Sequence, residues 1–117
     1  MEQCAQQETK SGSYRLALST MKGTYFFLPE QIVRLEARSN YTLIYFLNHY
    51  PVLTARVLKD YQVMLEPFGF VRTHRSHLVN KNFVTEVDNK GNIIMRDMSK
   101  AEISRRKKNK VMKALIA

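Results

Sequence analysis

Three short clusters of polar and basic residues carry the side-chain types that recognise nucleic acid. They comprise residues 38–41 (RSNY), 72–77 (RTHRSH) and 104–110 (SRRKKNK). An arginine can donate two parallel hydrogen bonds to guanine, and an asparagine can read adenine in the same way. Serine, threonine, tyrosine and lysine side chains hold phosphates and so fix the register of a protein on a duplex. Three such clusters in one short chain favour a DNA-binding function.

The distribution of charge supports a polyanionic partner. The chain has 117 residues, with 19 Lys and Arg against 10 Asp and Glu, which gives a net charge of +9. From Ser99 to the C-terminus, seven basic residues are opposed by Glu102 alone. Such clustering is the footprint expected of a phosphate-binding patch. An anionic membrane surface is a weaker explanation, because this segment lacks Trp and Phe.

The residues that could support catalysis or bind a metal show no recognised spacing. Cys4 is the only cysteine, and no carboxylate lies close in sequence to His74 and His77 to complete a triad or a zinc site. The four glycines are scattered and form no phosphate-binding loop. We therefore predict a domain that is not an enzyme and that uses no cofactor and no metal.

The same composition predicts a cytoplasmic location. A single cysteine cannot form an intrachain disulfide, which fits a reducing compartment. The N-terminus has no basic segment followed by an apolar run, and no apolar stretch approaches the ~20 residues that cross a bilayer. We expect no membrane partner.

Short β-type runs dominate the pattern that must position these clusters. Residues 1–13 are polar and aperiodic, which predicts a flexible lead-in followed by one domain over residues 14–117. Strand-like runs occupy residues 14–20, 24–28, 31–37, 42–47, 70–73, 83–88 and 93–96. In the third run, alternation places Val33, Leu35 and Ala37 on one face and Ile32, Arg34 and Glu36 on the other. The last two runs flank Asn89-Lys90-Gly91-Asn92, a strong hairpin turn signal.

Two short helices complete the predicted domain, whose fold class is mainly β. The apolar stripe of the central helix is formed by Leu58, Tyr61, Met64 and Leu65. Thr54 is its expected N-terminal cap, and Pro67 and Gly69 end it. The second, basic helix follows Ser104, and its apolar face, Val111, Met112 and Leu115, can pack against the body.

Several candidate residues have equally plausible structural roles. Asn40 could simply occupy a turn position with positive φ. Arg75 could pair with a carboxylate, of which Asp60, Glu66 and Glu86 are candidates. His77 and Asn80 are expected to satisfy backbone groups rather than touch bases.

Binding of RNA or single-stranded nucleic acid is the main alternative function. Its signal would be aromatic side chains exposed on a sheet beside glycine and lysine. The aromatic residues Phe26, Phe27, Tyr45 and Phe46 stand in apolar runs. We therefore expect them to fill the core.

The order and spacing of three motifs resemble the LytTR family of DNA-binding domains, found in bacterial transcriptional regulators. The first motif is residues 32–37 (IVRLEA) with residues 40–42 (NYT). The second and most distinctive is residues 70–80 (FVRTHRSHLVN), and the third is residues 103–106 (ISRR). The three motifs lie between residues 32 and 106, and the resemblance as a whole covers about residues 14–116, nearly the whole chain.

The resemblance implies an elongated β-rich fold whose loops, rather than a recognition helix, enter successive major grooves of double-stranded DNA. Such domains bind imperfect direct repeats, here with two copies expected, and regulate transcription. The motif positions imply base contacts by Asn40, Arg75 and Arg106. They imply contacts to the DNA backbone by Tyr41, His74, Ser76, Arg105 and Lys108.

The chain departs from the family pattern in two motifs. The family often has Asp-Gly before the Asn-Tyr pair, whereas this chain has Arg38-Ser39. Arg38 is therefore a further candidate for the DNA backbone. His77 stands where an aromatic residue is common. Many family members carry a receiver domain ahead of this unit, in which case a sensor kinase would be a partner.

Overall fold

The computed structural model describes residues 14–117, which form ten strands and two α-helices. Seven of the strands fall in the runs that the sequence predicts, and the other three, Val52–Thr54, His77–Asn80 and Lys100–Glu102, are not among them. The strands are β1 (Leu16–Thr20), β2 (Gly23–Phe27), β3 (Ile32–Arg38), β4 (Tyr41–Phe46), β5 (Val52–Thr54), β6 (Phe70–His74), β7 (His77–Asn80), β8 (Val84–Val87), β9 (Asn92–Met95) and β10 (Lys100–Glu102). The helices are α1 (Leu58–Leu65) and α2 (Lys108–Ile116). The lead-in predicted for residues 1–13 lies outside the described residues.

The strands form three sheets, of which the largest is central. That central sheet has five strands in the order β5-β4-β3-β7-β6, while β1 pairs with β2 and β9 lies between β8 and β10. Every strand pairing is antiparallel. The molecule is elongated, with principal extents of 46 × 30 × 23 Å.

Both faces of the five-stranded sheet are covered, which divides the core into two layers. One face packs against the β1–β2 hairpin and α1 through residues such as Leu18, Leu35 and Tyr61. The other face, which includes Val33 and Val79, packs against the three-stranded sheet and α2. Strands β3 and β7 contribute residues to both layers. The β3–β4 turn and the β6–β7 turn, which adjoin these strands, are therefore attached to the most buried part of the protein.

The simple alternation expected along β3 is wrong at its beginning. The pairing of β3 with β4 shifts between Ile32 and Arg34, so Val33 forms a bulge. Ile32 and Leu35 consequently share the first core, while Val33 lies in the second. An extra residue in one strand reverses the faces of the residues beyond it, and no sequence periodicity marked its position.

Helix α1 ends as predicted but begins differently. Its N-cap residue is Val57, which makes no capping hydrogen bond through its side chain. The predicted cap, Thr54, lies instead at the end of β5, where its hydroxyl is 2.7 Å from the hydroxyl of the buried Tyr61. The helix ends at Leu65, and a 3-10 turn containing Pro67 leads to Gly69, whose φ of 90° suits glycine.

The predicted hairpin and C-terminal helix are confirmed. A carboxylate oxygen of Asp88 accepts the backbone N–H groups of Lys90 and Asn92, and Gly91 has a φ of 85°. These hydrogen bonds lower the pKa of the Asp88 carboxyl. In α2, Val111 is buried and Met112 and Leu115 pack against the second core.

The expectation that four aromatic residues fill the core is wrong for one of them. Phe27 and Phe46 are buried and their ring centroids lie 4.0 Å apart, while Tyr45 is partly buried. Phe26 is 55% exposed, with the guanidinium of Arg15 5.0 Å from its ring centroid. Among residues 14–117 there is no helix long and apolar enough to cross a membrane.

Candidate nucleic-acid interface

Antiparallel pairing brings two of the three polar clusters to the same edge of the central sheet. Strands β3 and β7 are neighbours, with Glu36 opposite His77. The backbone N–H of Ala37 donates to the carbonyl of Ser76 over 2.9 Å, just beyond the last pair of the ladder. The β3–β4 turn and the β6–β7 turn therefore emerge side by side, separated by roughly one strand spacing of ~4.8 Å.

The third cluster is tied to the same end through Thr73, a buried residue of β6. Its hydroxyl donates to the carbonyl of Glu102 over 2.8 Å, and its own carbonyl accepts the N–H of Ser104 over 2.8 Å. A 3-10 turn over Arg105–Lys107 follows directly and leads into α2. All three clusters thus lie at one end of the molecule.

The β3–β4 turn presents a row of exposed side chains: Arg38, Ser39, Asn40 and Tyr41. The positive φ belongs to Ser39, at 56°, and not to Asn40. The alternative that Asn40 stands here for its tolerance of positive φ is therefore wrong. Its amide is at the tip of a tight two-residue turn, where a base edge could approach it.

A charged network behind this turn begins at the buried Arg34. Its Nε donates to Ser99 Oγ over 3.0 Å, its NH1 pairs with Glu36 at 2.9 Å, and its guanidinium carbon is 4.0 Å from the ring centroid of Tyr45. Glu36 also accepts a hydrogen bond of 2.9 Å from Arg38. Desolvation alone would raise the pKa of the Glu36 carboxyl, but the two arginines outweigh it and lower the pKa. Arg38 is thus held at the turn by a carboxylate that keeps its charge.

The β6–β7 turn places Arg75 at an exposed tip. Among the described residues its guanidinium has no ion pair, and Asp60, a suggested partner, lies 3.9 Å from Arg56 instead. The ion-pair alternative for Arg75 is therefore not supported. Nothing within the described chain holds the side chain back from an approaching ligand.

Arg72 holds the backbone beneath that tip. Its Nε donates to the carbonyl of His74 over 3.0 Å, and its NH2 donates to the carbonyl of Arg75 over 2.5 Å. Its NH1 reaches across to α1 and donates to the side-chain oxygen of Gln62 over 2.8 Å. Partial burial lowers the pKa of Arg72, yet a guanidinium stays charged at neutral pH. One side chain therefore fixes the turn to a helix.

The histidines at the base of this turn have structural contacts. Nδ1 of His74 accepts the N–H of Ser76 over 3.0 Å, and its Nε2 lies 3.8 Å from Glu102. The expected role of His77 in satisfying a backbone group is not seen, because Nδ1 of this ring is buried without a partner in the described chain. Desolvation lowers the pKa of His77, so its ring is neutral near pH 7. Asn80, by contrast, bonds the backbone as expected, since it donates to the carbonyl of Ile32.

The C-terminal cluster extends this surface with exposed cations. Arg105, Arg106, Lys107 and Lys108 are all exposed. Lys107 and Lys110 also line a groove of about 400 Å³, whose other wall includes Arg72 and Arg75. The groove therefore lies between the third cluster and the second, and its lining includes four basic residues and one acidic residue, Glu66.

The structure brings together all nine residues that the sequence singled out, and it adds others. Arg34, Glu36 and Arg72 carry the contacts that position the turns, although only the last stood in a polar cluster. Ser99 and Gln62, which anchor Arg34 and Arg72, are remote in sequence, so spacing alone does not reveal these two contacts. Glu102 approaches His74 for the same reason, through the pairing of β10 with β9 and the contact with Thr73.

Comparisons with known proteins agree on one family. The model of the LytTr DNA-binding domain matches residues 22–116. A solved structure described as the LytTr DNA-binding domain of a response regulator from Bacillus cereus is similar in fold. It has a TM-score of 0.75 and 22% sequence identity over 92% of this chain and 98% of the other. No curated protein sequence matches this chain.

Proposed function

Since the chain belongs to the LytTR family of DNA-binding domains, we propose that it recognises specific sites in double-stranded DNA and regulates transcription from them. The observation that carries this proposal is the convergence of three polar clusters at one end of the molecule. Their tips are exposed, while their backbones are fastened to the core. Such a surface suits readout by loops held on a rigid scaffold.

The side chains at the three tips divide into two roles. Asn40, Arg75 and Arg106 read base edges in the major groove, because their amide or guanidinium groups can form paired hydrogen bonds with adenine or guanine. The residues around them hold phosphates and fix the register of the domain: Arg38, Tyr41, His74, Ser76, Arg105 and Lys108. Arg38 keeps donor groups free beyond its single bond to Glu36, since a guanidinium has five N–H donors.

Two copies of the domain bind one operator. The resemblance to the family implies binding at imperfect direct repeats, so each copy would contact one half-site. We propose a direct repeat whose half-sites lie about one helical turn apart. At this spacing both half-sites face the same side of the duplex. Where a receiver domain precedes such a unit, a sensor kinase would be a further partner.

The test is selection of bound duplexes from a random pool, followed by competition at low and near-physiological salt. We expect a short motif that recurs at a fixed spacing, and binding of that duplex by about 10³-fold or more over random duplex. Preference for single-stranded DNA or duplex RNA over the selected duplex would overturn the proposal in favour of the alternative. Recovery of a single unrepeated motif would overturn only the two-copy arrangement.

A further inference from the structure

A cluster of three metal-ligating side chains lies directly beneath the DNA-facing end. One ring nitrogen of His74, one of His77 and one carboxylate oxygen of Glu102 all lie within 4.8 Å of one another. The ring centroids of the two histidines are 5.4 Å apart, and Nε2 of His74 is 3.8 Å from Oε1 of Glu102. From this arrangement we infer that the three residues form a binding site for a divalent transition-metal ion of the zinc class.

The ligand types and distances suit such an ion. Two imidazoles and one carboxylate are a known ligand set for Zn²⁺, with a fourth position left to water. Ligand atoms about 2.0–2.1 Å from a tetrahedral Zn²⁺ lie roughly 3.4 Å from each other. The nitrogen–oxygen distance of 3.8 Å is close to this value. The side chain of Glu102 is 63% exposed and can move the remaining distance without disturbing the core.

The environment of His77 gives an independent reason for a ligand. Its Nδ1 is buried and lacks a hydrogen-bond partner within the part of the chain that the structure describes. A buried polar atom without a partner is costly. An ion bound at Nδ1 would give this buried atom the partner that it lacks.

The surrounding charges permit a cation. Arg34 is the one buried charged side chain among the described residues, and Glu36 neutralises it at 2.9 Å and is in turn bound by Arg38. Glu102 has no such arginine partner, since its only ion-pair contact within residues 14–117 is His74. Its negative charge is therefore available to the ion.

Metal binding would also change the β6–β7 turn. Nδ1 of His74 accepts the N–H of Ser76, so the neutral ring carries its proton on Nε2, which faces Glu102. An ion bound at Nε2 must displace that proton. Either the proton moves to Nδ1 or the ring turns over, and both break the bond to Ser76. Occupancy of the site is therefore coupled to the turn that carries Arg75.

The three ligands end strands that lead to two of the polar clusters. His74 is the last residue of β6, His77 the first of β7, and Glu102 the last of β10. A bound ion would cross-link the β6–β7 turn to the segment that begins at Ser104. If the proposed function holds, the ion would fix the separation between Arg75 and Arg106 on DNA.

The experiment is a titration of the full chain with zinc chloride in the absence of DNA. Calorimetry measures the binding, and NMR of the imidazole nitrogens shows which rings respond. We expect one ion per chain, with changes in the ring signals of His74 and His77 and in the amide of Ser76. The ring of His49, which packs among Phe27 and Phe46, should not respond.

Paired variants locate the site. Glu102→Gln should weaken zinc binding at least about tenfold, as loss of a ligand or its support does in other sites. Glu86→Gln, which makes the same change on exposed β8 in the same sheet, should leave zinc binding unaltered. Absence of saturable binding overturns the proposal. Binding that survives Glu102→Gln but is abolished by Cys4→Ser would also overturn it. Because no DNA is present, either failure leaves the proposed DNA-binding function untouched.

Discussion

Arg72 and Arg75 stand three residues apart and have opposite surroundings. Arg72 donates hydrogen bonds within the protein, to two backbone carbonyls of the turn and to the side chain of Gln62 in α1. Arg75 has no such contacts among the described residues and lies exposed at the tip. The first arginine shapes the turn, and the second is free to read what the turn approaches.

Replacing Arg75 tests the base-reading role. Arg75→Ala should weaken binding to the selected duplex by about 1–3 kcal/mol, because a bidentate base contact is lost, while affinity for random duplex stays nearly constant. Fluorescence anisotropy on both duplexes measures the difference.

Arg15→Ala is the control for that change. Arg15 is also exposed, but its neighbour Tyr14 stacks on Phe68, in the 3-10 turn that precedes β6, and thus at the opposite end of that strand from Arg75. An equal loss on both duplexes, or unfolding of Arg75→Ala in circular dichroism, would refute the base-reading role.

Replacing Arg72 tests the positioning role. Arg72→Lys keeps the charge but cannot reproduce three bonds from one planar group, so binding to the selected duplex should weaken by about 1–2 kcal/mol. In a double-mutant cycle, the loss of binding free energy caused by Arg72→Lys should be smaller in the Arg75→Ala background than in the unmodified domain. Fully additive losses would show that Arg72 does not act through Arg75.

At the scale of single residues, the sequence predicts which side chains are exposed at the turn tips better than it predicts which side chains hold the turns in place. Asn40, Arg75 and Arg106 can be picked out from the sequence because binding residues are often found in exposed loops. The roles of Arg34 and Arg72 cannot be predicted from sequence, since the contacts of Arg34 with Ser99 and of Arg72 with Gln62 depend on the tertiary fold. The positive φ at Ser39 rather than Asn40 likewise follows from turn geometry that residue type alone does not specify.

At the scale of elements, α2 runs away from the proposed DNA-facing end. It begins at Lys108, directly after the basic 3-10 turn. At its other end, the carbonyl of Ala117 accepts a bond from Lys81, which follows β7 on the far side of the domain. Only the first turn of α2 can therefore approach phosphates.

This orientation distinguishes two lysines of one helix. Lys108→Ala should lower affinity for all duplexes and reduce the slope of log K against log salt by about one, because one phosphate contact is lost. Lys113→Ala, five residues farther along, should change neither affinity nor slope. Equal effects of both substitutions would indicate general electrostatic attraction rather than a contact at Lys108.

The sequence predicts the types of most elements and misses their irregularities. Alternating runs and the Asn-Lys-Gly-Asn turn identify strands and a hairpin, and the apolar stripe identifies α1. The short strands β5 and β10 contain three residues each, too few to show a period. The bulge at Val33 and the missing cap at Thr54 result from tertiary packing, which overrides local preference.

At the scale of the whole molecule, Arg34 joins two sheets. It lies in β3 of the five-stranded sheet, and its Nε donates to Ser99 in the turn before β10. Its pair with Glu36 continues to Arg38 at the surface. A buried guanidinium thus links the three-stranded sheet to the first DNA-facing turn.

Removing this link should destabilise the entire domain. Arg34→Met fills similar space without the charge, leaves Ser99 and Glu36 short of a partner, and should lower the free energy of unfolding by about 2–4 kcal/mol. Urea denaturation followed by tyrosine fluorescence measures the change. A loss below about 0.5 kcal/mol, typical of surface substitutions, would mean that the network contributes little to stability.

The assembly itself was predictable only through the family resemblance. Composition and periodicity indicate a basic, mainly β domain, but they do not determine that β7 pairs with β3 or that the sheet is covered on both faces. Those facts depend on contacts between distant residues. They are also what brings the three clusters to one end.

The freedom of the tip side chains has a consequence for how such regulators diverge. Substitution of an exposed residue that makes no internal contacts changes the free energy of unfolding by no more than about 0.5 kcal/mol. After gene duplication, a copy can therefore alter Asn40, Arg75 or Arg106 one at a time and drift toward a new operator while it remains folded. Arg34 and Arg72 have no such latitude. Paralogues of this domain should consequently differ most at the three positions proposed to read bases and least at the two arginines that hold the turns in place.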